Sequence, residues 1–231
     1  MIKHILFDVD QTLYPASSNV EGEMVRRITN FVADYLGISF EEALSLRTNR
    51  DKKYNSTLEW LQDTKEFKNT ESYFSAVHPS DFENYFPKNP ALKNLLSKVL
   101  VPCSIFTNSW QRHAENVINY LEISKYFSNI FDIVFNKYLG KSHSMAFVNV
   151  LEFLGLKAEE VLYIDDIKQF TDTFYSLGGN VILVDELDEY GKTEYEKVRY
   201  IEEIEPILER YRVINGSASP FLEVGGVEPP S

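Results

Sequence analysis

The sequence predicts an α/β protein whose parallel sheet carries a small all-helical segment inserted after the first strand. Short apolar runs typical of buried strands alternate with amphipathic segments of helical spacing, which indicates a parallel sheet with helical crossovers. Between residues 16 and 86 no strand pattern is convincing. We therefore predict a core made of residues 1–15 and 87–213, a helical insert at 16–86, and a flexible tail at 214–231, where Gly, Pro and Ser are frequent.

The predicted elements follow one another in a regular order. The first strand is the apolar run that begins at Ile5, and further strands are expected at 103–107, 130–135, 160–164 and 181–184. Helices are expected at 19–36, 40–50, 57–63 and 70–77 in the insert, and at 91–99, 110–122, 123–127, 140–154, 167–177 and 194–212 in the core. Asn19 and Ser39 are candidate N-caps, and Gly37 is positioned to end a helix.

The composition limits the functional classes. The chain has 231 residues and a formal net charge of -12, so its surface repels nucleic-acid polymers and anionic membranes. There is no apolar run of about 18 residues, so no transmembrane helix is predicted, and we expect no cleavable signal peptide. The single cysteine, Cys103, excludes an internal disulfide and is expected to be a buried structural thiol. We predict a cytoplasmic protein that is a monomer or a weak homo-oligomer.

Asp8 and Asp10 are set into the carboxyl end of the first predicted strand. Residues two apart on a strand point to the same face, so the two carboxylates should converge. Converging carboxylates at the end of a buried strand are unfavourable unless a cation or a shared proton relieves their repulsion. A divalent metal ion with oxygen ligands would relieve it. The alternative is a strand that simply ends in a polar turn.

Polar residues also follow the later strands, where open parallel sheets bind their ligands. A carboxylate can act as a nucleophile toward phosphorus, and a second carboxylate can serve as general acid and base. A hydroxyl with backbone N–H groups can hold phosphate oxygens, and an ammonium can neutralise the transferred group. Taken singly, Thr107-Asn108 could be an ordinary turn, Lys141 an exposed loop lysine and Asp165-Asp166 a helix cap. The residues concerned are Asp8, Asp10, Thr107, Asn108, Lys141, Asp165 and Asp166.

The order and spacing of these residues resemble the haloacid dehalogenase-like (HAD) hydrolase superfamily over roughly residues 1–190. The stretch Asp8-Val-Asp-Gln-Thr12 matches the Asp-x-Asp-x-Thr motif of that superfamily. Thr107-Asn108, Lys141 and Asp165-Asp166 match its second, third and fourth motifs in order. The helical insert is similar to the small cap of subclass I members. The resemblance implies a Rossmann-like core, the HAD fold, and hydrolysis of a phosphomonoester with Mg2+ as cofactor.

The resemblance also implies a role for each matching residue. Asp8 would be the nucleophile that forms an aspartyl-phosphate, and it would bind the magnesium ion. Asp10 would be the general acid and base, with its backbone carbonyl on the metal. Lys141 would steady Asp8 and the phosphate. An aspartate at position 10 resembles the phosphatases of the superfamily rather than its dehalogenases.

The remaining implied roles concern phosphate and metal. Thr107, together with the backbone of Asn108, would hold the phosphate group. Asp166, with Asp165 beside it, would complete the metal site. The acid that the family often places four or five residues after the second acid of the fourth motif is missing, and Asp172 is a candidate replacement. Gln11 stands where Gly or Asn is usual.

Four segments of the chain also resemble the pyrimidine 5′-nucleotidase-like group of the superfamily. They are residues 7–15, residues 53–58, the pair 107–109 and 113–114, and residues 163–166. This similarity predicts a nucleoside monophosphate as the substrate. A HAD phosphatase for a sugar phosphate or another small phosphorylated metabolite is the alternative, and a catalytically weak HAD-fold binding or regulatory protein is a second one. His113 could reach the site, and Trp60 is expected to pack in a core rather than against a nucleobase.

Overall fold

The computed structural model describes residues 1–51, 53–54 and 56–215. Six parallel strands form one sheet in the order β3-β2-β1-β4-β5-β6. This sheet and the helices around it confirm the predicted α/β class with a Rossmann-like core. The strands are β1 (His4–Phe7), β2 (Cys103–Phe106), β3 (Phe127–Phe131), β4 (Val161–Asp165), β5 (Asn180–Val184) and β6 (Glu196–Val198).

The helices follow the predicted order with one exception. The prediction of a helix at 123–127 was wrong, because this stretch is only a 3-10 turn at Ser124–Tyr126 and Phe127 then pairs with Cys103 as the first residue of β3. The helix expected from residue 140 begins at Ser144.

In the part of the chain that the structure describes, no helix is long and apolar enough to cross a membrane. The helices are α1 (Val20–Leu36), α2 (Phe40–Thr48), α3 (Thr57–Lys65), α4 (Thr70–Val77), α5 (Pro90–Ser97), α6 (Gln111–Tyr120), α7 (Ser144–Leu154), α8 (Lys168–Ser176) and α9 (Glu205–Tyr211).

Two strand predictions were wrong. The strand expected at 130–135 ends at Phe131, because the Asp132 carboxylate accepts hydrogen bonds from the backbone N–H groups of Phe135 and Gln111 and turns the chain. The strand at 181–184 is not the last one. β6 follows it at the sheet edge, where its polar sequence Glu-Lys-Val has no buried face to mark it. The helix expected at 194–212 is shorter, because β6 takes up residues 196–198. The helical part begins as a 3-10 turn at Ile201.

The centre of the sheet determines which side chains meet. β1 lies between β2 and β4, and Phe7 is in register with Ile105 on one side and Ile164 on the other. All the residues of these three strands are buried, and apolar clusters cover both sheet faces. The residues that follow Phe7, Ile105 and Ile164 therefore emerge at the same edge of the sheet.

The insert has a hydrophobic cluster of its own. Helices α1 to α4 pack around buried side chains that include Trp60, which confirms the prediction that Trp60 is a core residue. Trp110 and Ile133 of the core pack against this cluster from outside the insert. The Ser39 hydroxyl accepts a hydrogen bond from the N–H of Glu42, as expected for an N-cap. The Asn19 side chain forms no such bond.

The end of the described chain stays packed on the core. Ile214 is buried and forms an antiparallel bridge with Val99. The predicted flexible tail falls, from residue 216 onward, outside the described residues. Cys103 is buried in β2, as predicted, and burial raises the pKa of its thiol to about 12. This thiol is not a nucleophile at neutral pH.

Candidate active site

The strand ends bring three of the predicted residues into direct contact. Asp8 follows β1, Asp165 ends β4, and Lys141 reaches both from the loop before α7. The Lys141 Nζ lies 2.7 Å from the Asp8 Oδ1 and 2.6 Å from the Asp165 Oδ2. The motifs that contain these residues are therefore parts of one site.

Lys141 is among the most buried polar residues of the described chain, with 1% of its surface exposed. Its backbone N–H donates to the Oδ1 of Asn108 at 2.9 Å, which fixes the loop that carries it. Burial alone would lower the pKa of Lys141, but the charges of Asp165 and Asp8 outweigh burial and raise it. Lys141 is consequently a fixed, buried cation.

Asp8, Asp165 and Asp166 form a cluster in which each carboxylate offers an oxygen within 4.8 Å of the others. Burial raises the pKa of Asp8 to about 7, with the charges of Asp165 and Asp10 adding to the rise and Lys141 opposing it. Burial and the charges of Asp165 and Asp8 also raise the pKa of Asp166 to about 9. These carboxylates repel one another, and an all-oxygen ligand set of this kind fits a magnesium ion.

Asp165 differs from its two neighbours because protein groups already occupy both of its oxygens. Its Oδ2 accepts hydrogen bonds from Lys141 and from the Tyr163 hydroxyl, and its Oδ1 accepts one from the N–H of Ile167 at 2.7 Å. The oxygens of Asp8 and Asp166 are less engaged: the Asp8 Oδ1 pairs with Lys141, and the Asp166 Oδ1 accepts a long bond of 3.3 Å from the Thr12 hydroxyl. Asp165 therefore orients Lys141 as well as contributing charge.

Asp172 does not join this cluster. Its carboxylate accepts hydrogen bonds from Lys168 and from the hydroxyl of Tyr195, each at 2.6 Å. The candidate replacement for the missing acid is therefore bound by Lys168 and Tyr195 and is not part of the acidic cluster.

Asp10 has surroundings quite unlike those of Asp8. Its Oδ1 accepts hydrogen bonds from the Tyr14 hydroxyl at 2.6 Å and from the His113 Nε2 at 2.7 Å, and its Oδ2 accepts one from the Ser109 hydroxyl at 2.5 Å. Burial would raise the pKa of Asp10, but His113, Ser109 and Tyr14 together hold it well below its usual range. The two acids of the first motif are thus pushed in opposite directions.

The sequence interpretation missed two of these donors and left the third open. Tyr14 lies four residues after Asp10, and Ser109 directly follows the second motif. His113, with 1% of its surface exposed, does reach Asp10. The only signal in the sequence was the position of His113 about one helical turn after Ser109.

Thr107 and Asn108 shape the loop between β2 and α6. The Thr107 hydroxyl accepts a hydrogen bond from the N–H of Ser109 at 2.9 Å, and the Asn108 amide oxygen accepts the bond from Lys141. This loop lies beside the carboxylates, because Ser109 contacts Asp10 and Asn108 contacts the Lys141 loop. Both residues are therefore near the site, and their side-chain acceptors serve the loop itself.

A cleft of about 790 Å³ opens beside this loop. One wall comes from the insert and includes Leu58, Tyr73 and Phe74, and the other comes from the core and includes Asn108 and Phe170. Its size is within the range of small-molecule sites.

Comparisons with known proteins relate the chain to a family of hydrolases. The family model for haloacid dehalogenase-like hydrolases matches residues 2–168. The Glyceraldehyde 3-phosphate phosphatase of Methanocaldococcus jannaschii is 27% identical over 177 residues, covering 72% of this chain and 77% of that protein. The Phosphate metabolism protein 8 of Saccharomyces cerevisiae is 26% identical over 136 residues, covering 55% of this chain but only 42% of that protein.

Solved structures show the same fold at lower identity. A HAD phosphatase from Thermococcus onnurineus superposes with a TM-score of 0.60 at 18% identity, over 90% of this chain and 98% of that one. The L-2-haloacid dehalogenase from Xanthobacter autotrophicus with covalently bound chloropropionic acid gives a TM-score of 0.56 at 16% identity, over 91% and 99% of the two chains. With the family model matched over most of its length, this chain belongs to the haloacid dehalogenase-like hydrolases.

Proposed function

We propose that this chain is a magnesium-dependent phosphomonoester hydrolase that works through an aspartyl-phosphate on Asp8. The observation that carries the proposal is the contrast between its first two acids. Asp8 lies against the Lys141 ammonium at 2.7 Å, whereas Asp10 is held by three hydrogen-bond donors. One carboxylate is thus placed beside a cation that can neutralise a phosphoryl group, and the other is oriented for proton transfer.

The proposed reaction has two steps. An oxygen of Asp8 attacks phosphorus and the bond to the leaving oxygen breaks. Asp10, which takes up a proton from the phosphomonoester monoanion as the substrate binds, gives that proton to the leaving oxygen. Asp10 then takes a proton from water, whose oxygen attacks the phosphorus of the aspartyl-phosphate and releases inorganic phosphate and free Asp8. Lys141 stabilises the negative charge on Asp8 and on the transferred group, and Thr107 with the backbone of Asn108 holds the phosphate oxygens.

Asp8, Asp166 and the backbone carbonyl of Asp10 are the proposed magnesium ligands, and Asp165 belongs to the metal site through the remaining lone pair of its Oδ1 and through its charge. When bound, the ion would supply positive charge that stabilises the transferred phosphoryl group. The raised pKa values of Asp8 and Asp166 support this assignment, because a bound cation would offset the burial and the carboxylate repulsion that raise them.

For the substrate we propose a nucleoside monophosphate, with residues 16–86 as the cap that covers it. A cleft of about 790 Å³ with Tyr73, Phe74 and Phe170 in its walls has the size and the aromatic surface to hold a nucleobase. The second candidate is a sugar phosphate or another small phosphorylated metabolite. The similarity to the Glyceraldehyde 3-phosphate phosphatase of M. jannaschii favours it.

One assay tests the reaction. We expect hydrolysis of p-nitrophenyl phosphate with magnesium by the unaltered chain, and a loss of at least about 10³-fold in Asp8→Asn. Asp172→Asn is the matched control, because it changes an aspartate of the same fold whose partners are Lys168 and Tyr195. Equal rates in all three proteins would contradict the reaction and favour a binding or regulatory protein.

A second assay tests the substrate. UMP, CMP, glyceraldehyde 3-phosphate and a set of sugar phosphates are compared by kcat/KM under the same conditions. The nucleotidase proposal requires that UMP or CMP is hydrolysed faster than the sugar and triose phosphates. The reverse order would assign the site to a small metabolite without affecting the proposed reaction.

A further inference from the structure

His113 forms one specific contact in an otherwise apolar setting. Its Nε2 lies 2.7 Å from the Asp10 Oδ1, and its ring has 1% of its surface exposed. Among the described residues, no group hydrogen-bonds to the Nδ1 of this ring. Because a carboxylate only accepts hydrogen bonds, the Nε2 carries the hydrogen and donates it to Asp10.

The ring of His113 is held from the side of the insert. The ring of His78 stacks on it with centroids 4.4 Å apart. The ring of Phe82 packs against it in an edge-to-face arrangement with centroids 5.9 Å apart. His78 is in turn fixed by a hydrogen bond of 3.0 Å between its Nδ1 and the carbonyl of Phe74. These contacts leave the ring of His113 one polar partner, which is Asp10.

The other two donors complete a fixed frame around Asp10. The Tyr14 hydroxyl shares the Oδ1 with His113, and the Ser109 hydroxyl binds the Oδ2. Tyr14 comes from the loop after β1, Ser109 from the loop after β2, and His113 from α6. Three separate elements thus fix the plane of one carboxylate. Catalytic efficiency depends on such fixed geometry, since small displacements of a proton donor slow proton transfer strongly.

We infer that His113 is a positioning residue that aims the Asp10 carboxyl group at the oxygen of the leaving group. This inference rests on the proposed phosphatase reaction. The proton moves from Asp10 to the leaving oxygen as the phosphorus–oxygen bond breaks. His113 keeps its own proton and supplies only the hydrogen bond that fixes the orientation of Asp10.

The test compares two amides that differ in reach. In His113→Gln the amide nitrogen can occupy the place of the Nε2, whereas in His113→Asn it falls near the place of the Nδ1 and cannot reach Asp10. Each variant is assayed with glycerol 2-phosphate, whose alkoxide must be protonated to leave, and with p-nitrophenyl phosphate, whose phenolate needs no proton. A general acid contributes about 10² to 10⁴-fold where it is needed.

We therefore expect His113→Asn to lower kcat/KM, which covers the steps up to departure of the leaving group, by about 100-fold on glycerol 2-phosphate and by less than about 5-fold on p-nitrophenyl phosphate. His113→Gln should recover most of the loss on glycerol 2-phosphate. The control is His4→Asn, which replaces another buried histidine whose partner is Ser104 at 3.0 Å, and it should leave the ratio of the two rates unchanged.

Two outcomes overturn the inference. If His113→Asn lowers both rates by the same factor, His113 has only a structural role. If His113→Gln and His113→Asn have the same ratio of rates, the hydrogen bond to Asp10 does not matter. Should His113→Asn fail to fold, His113→Gln is compared with Ser109→Ala, which removes another donor to Asp10 and must show the same dependence on the leaving group. Activity retained by Asp8→Asn would instead refute the proposed reaction itself.

Discussion

Two lysine–aspartate pairs of equal length offer a direct measurement of what burial does to a charge. Lys141 and Asp165 are joined at 2.6 Å, and so are Lys168 and Asp172. The side chain of Lys141 is 1% exposed and that of Lys168 is 35% exposed. We predict that Lys141→Met destabilises the chain severely and that Lys168→Met hardly affects it.

The magnitude follows from the charges left behind. Removing Lys141 leaves Asp8 and Asp165 buried beside Asp166 with no cation in direct contact among the ion pairs of the described chain. Breaking a buried pair in this way costs about 3–5 kcal/mol, whereas an exposed pair is worth about 0–1 kcal/mol. For a chain of this size, the melting temperature should fall by roughly 10 °C in Lys141→Met and by no more than roughly 2 °C in Lys168→Met.

The effect of Lys141→Met should also depend on pH. The pKa of Asp8 is raised from 3.8 to about 7, so the folded chain binds a proton more readily than the unfolded chain between these values. Acidification through this window therefore relieves carboxylate repulsion in the folded state. Because loss of Lys141 raises the pKa of Asp8 further, the deficit in unfolding free energy should be larger at pH 8 than at pH 5.

The measurement is urea unfolding followed by circular dichroism, at pH 8 and pH 5, with a chelator present so that no metal ion replaces the lost cation. Lys168→Met is the matched control at both pH values. Equal destabilisation by the two substitutions would refute the argument from burial. A deficit of Lys141→Met that grows at pH 5 would refute the argument from carboxylate repulsion.

Two further predictions concern stability. Gln11 has a φ of 57°, in the left-handed region that costs a residue with a Cβ about 1 kcal/mol. Because Asn tolerates this region better, Gln11→Asn should raise the unfolding free energy by a few tenths to about 1 kcal/mol, as measured by urea unfolding. Gln11→Val should lower the unfolding free energy in the same assay. Burial lowers the pKa of His4 from 6.5 to about 4, so the unfolded chain takes up this proton first and stability should fall by up to about 3 kcal/mol as the pH drops through that window. His4→Asn should flatten this dependence in the same assay, and an unchanged slope would contradict it.

The core of the site could be predicted from the sequence because a parallel sheet places all its strand ends at one edge. Asp8 and Asp165 had to meet once β1 and β4 were neighbours, and a lysine in the loop before α7 was within reach. The rule needs only the strands and their order. The same rule fails at β6, because a short polar strand at the sheet edge lacks the apolar run that identifies the others.

The donors around Asp10 could not be predicted in this way. Whether His113 reaches Asp10 depends on the rotation of α6 about its axis, which is set by packing against the insert and the sheet. Gln11 shows a related limit. The resemblance to the HAD superfamily implies that Gly or Asn is usual at this position, and the left-handed φ explains why. A backbone angle, however, cannot be read from one residue type.

The first motif illustrates how much of its chemistry comes from elsewhere in the chain. Asp8 and Asp10 are identical side chains two residues apart, yet burial beside other acids raises the pKa of Asp8, and three donors lower the pKa of Asp10. Neither difference is contained in the motif itself. The rise at Asp8 comes from burial and from the charge of Asp165, against the opposing charge of Lys141, and the fall at Asp10 comes from His113, Ser109 and Tyr14.

The hydrogen-bond donors around Asp10 give the two carboxylates of the first motif different roles. An Asp-x-Asp pair in a chain without the donors around Asp10 would have two carboxylates that compete for the same cation and the same proton. The frame of three donors separates them, since it satisfies Asp10 without a metal and leaves the Lys141 ammonium to Asp8. The proposed roles of nucleophile and proton donor therefore rest on the hydrogen bonds to Asp10 as much as on the motif.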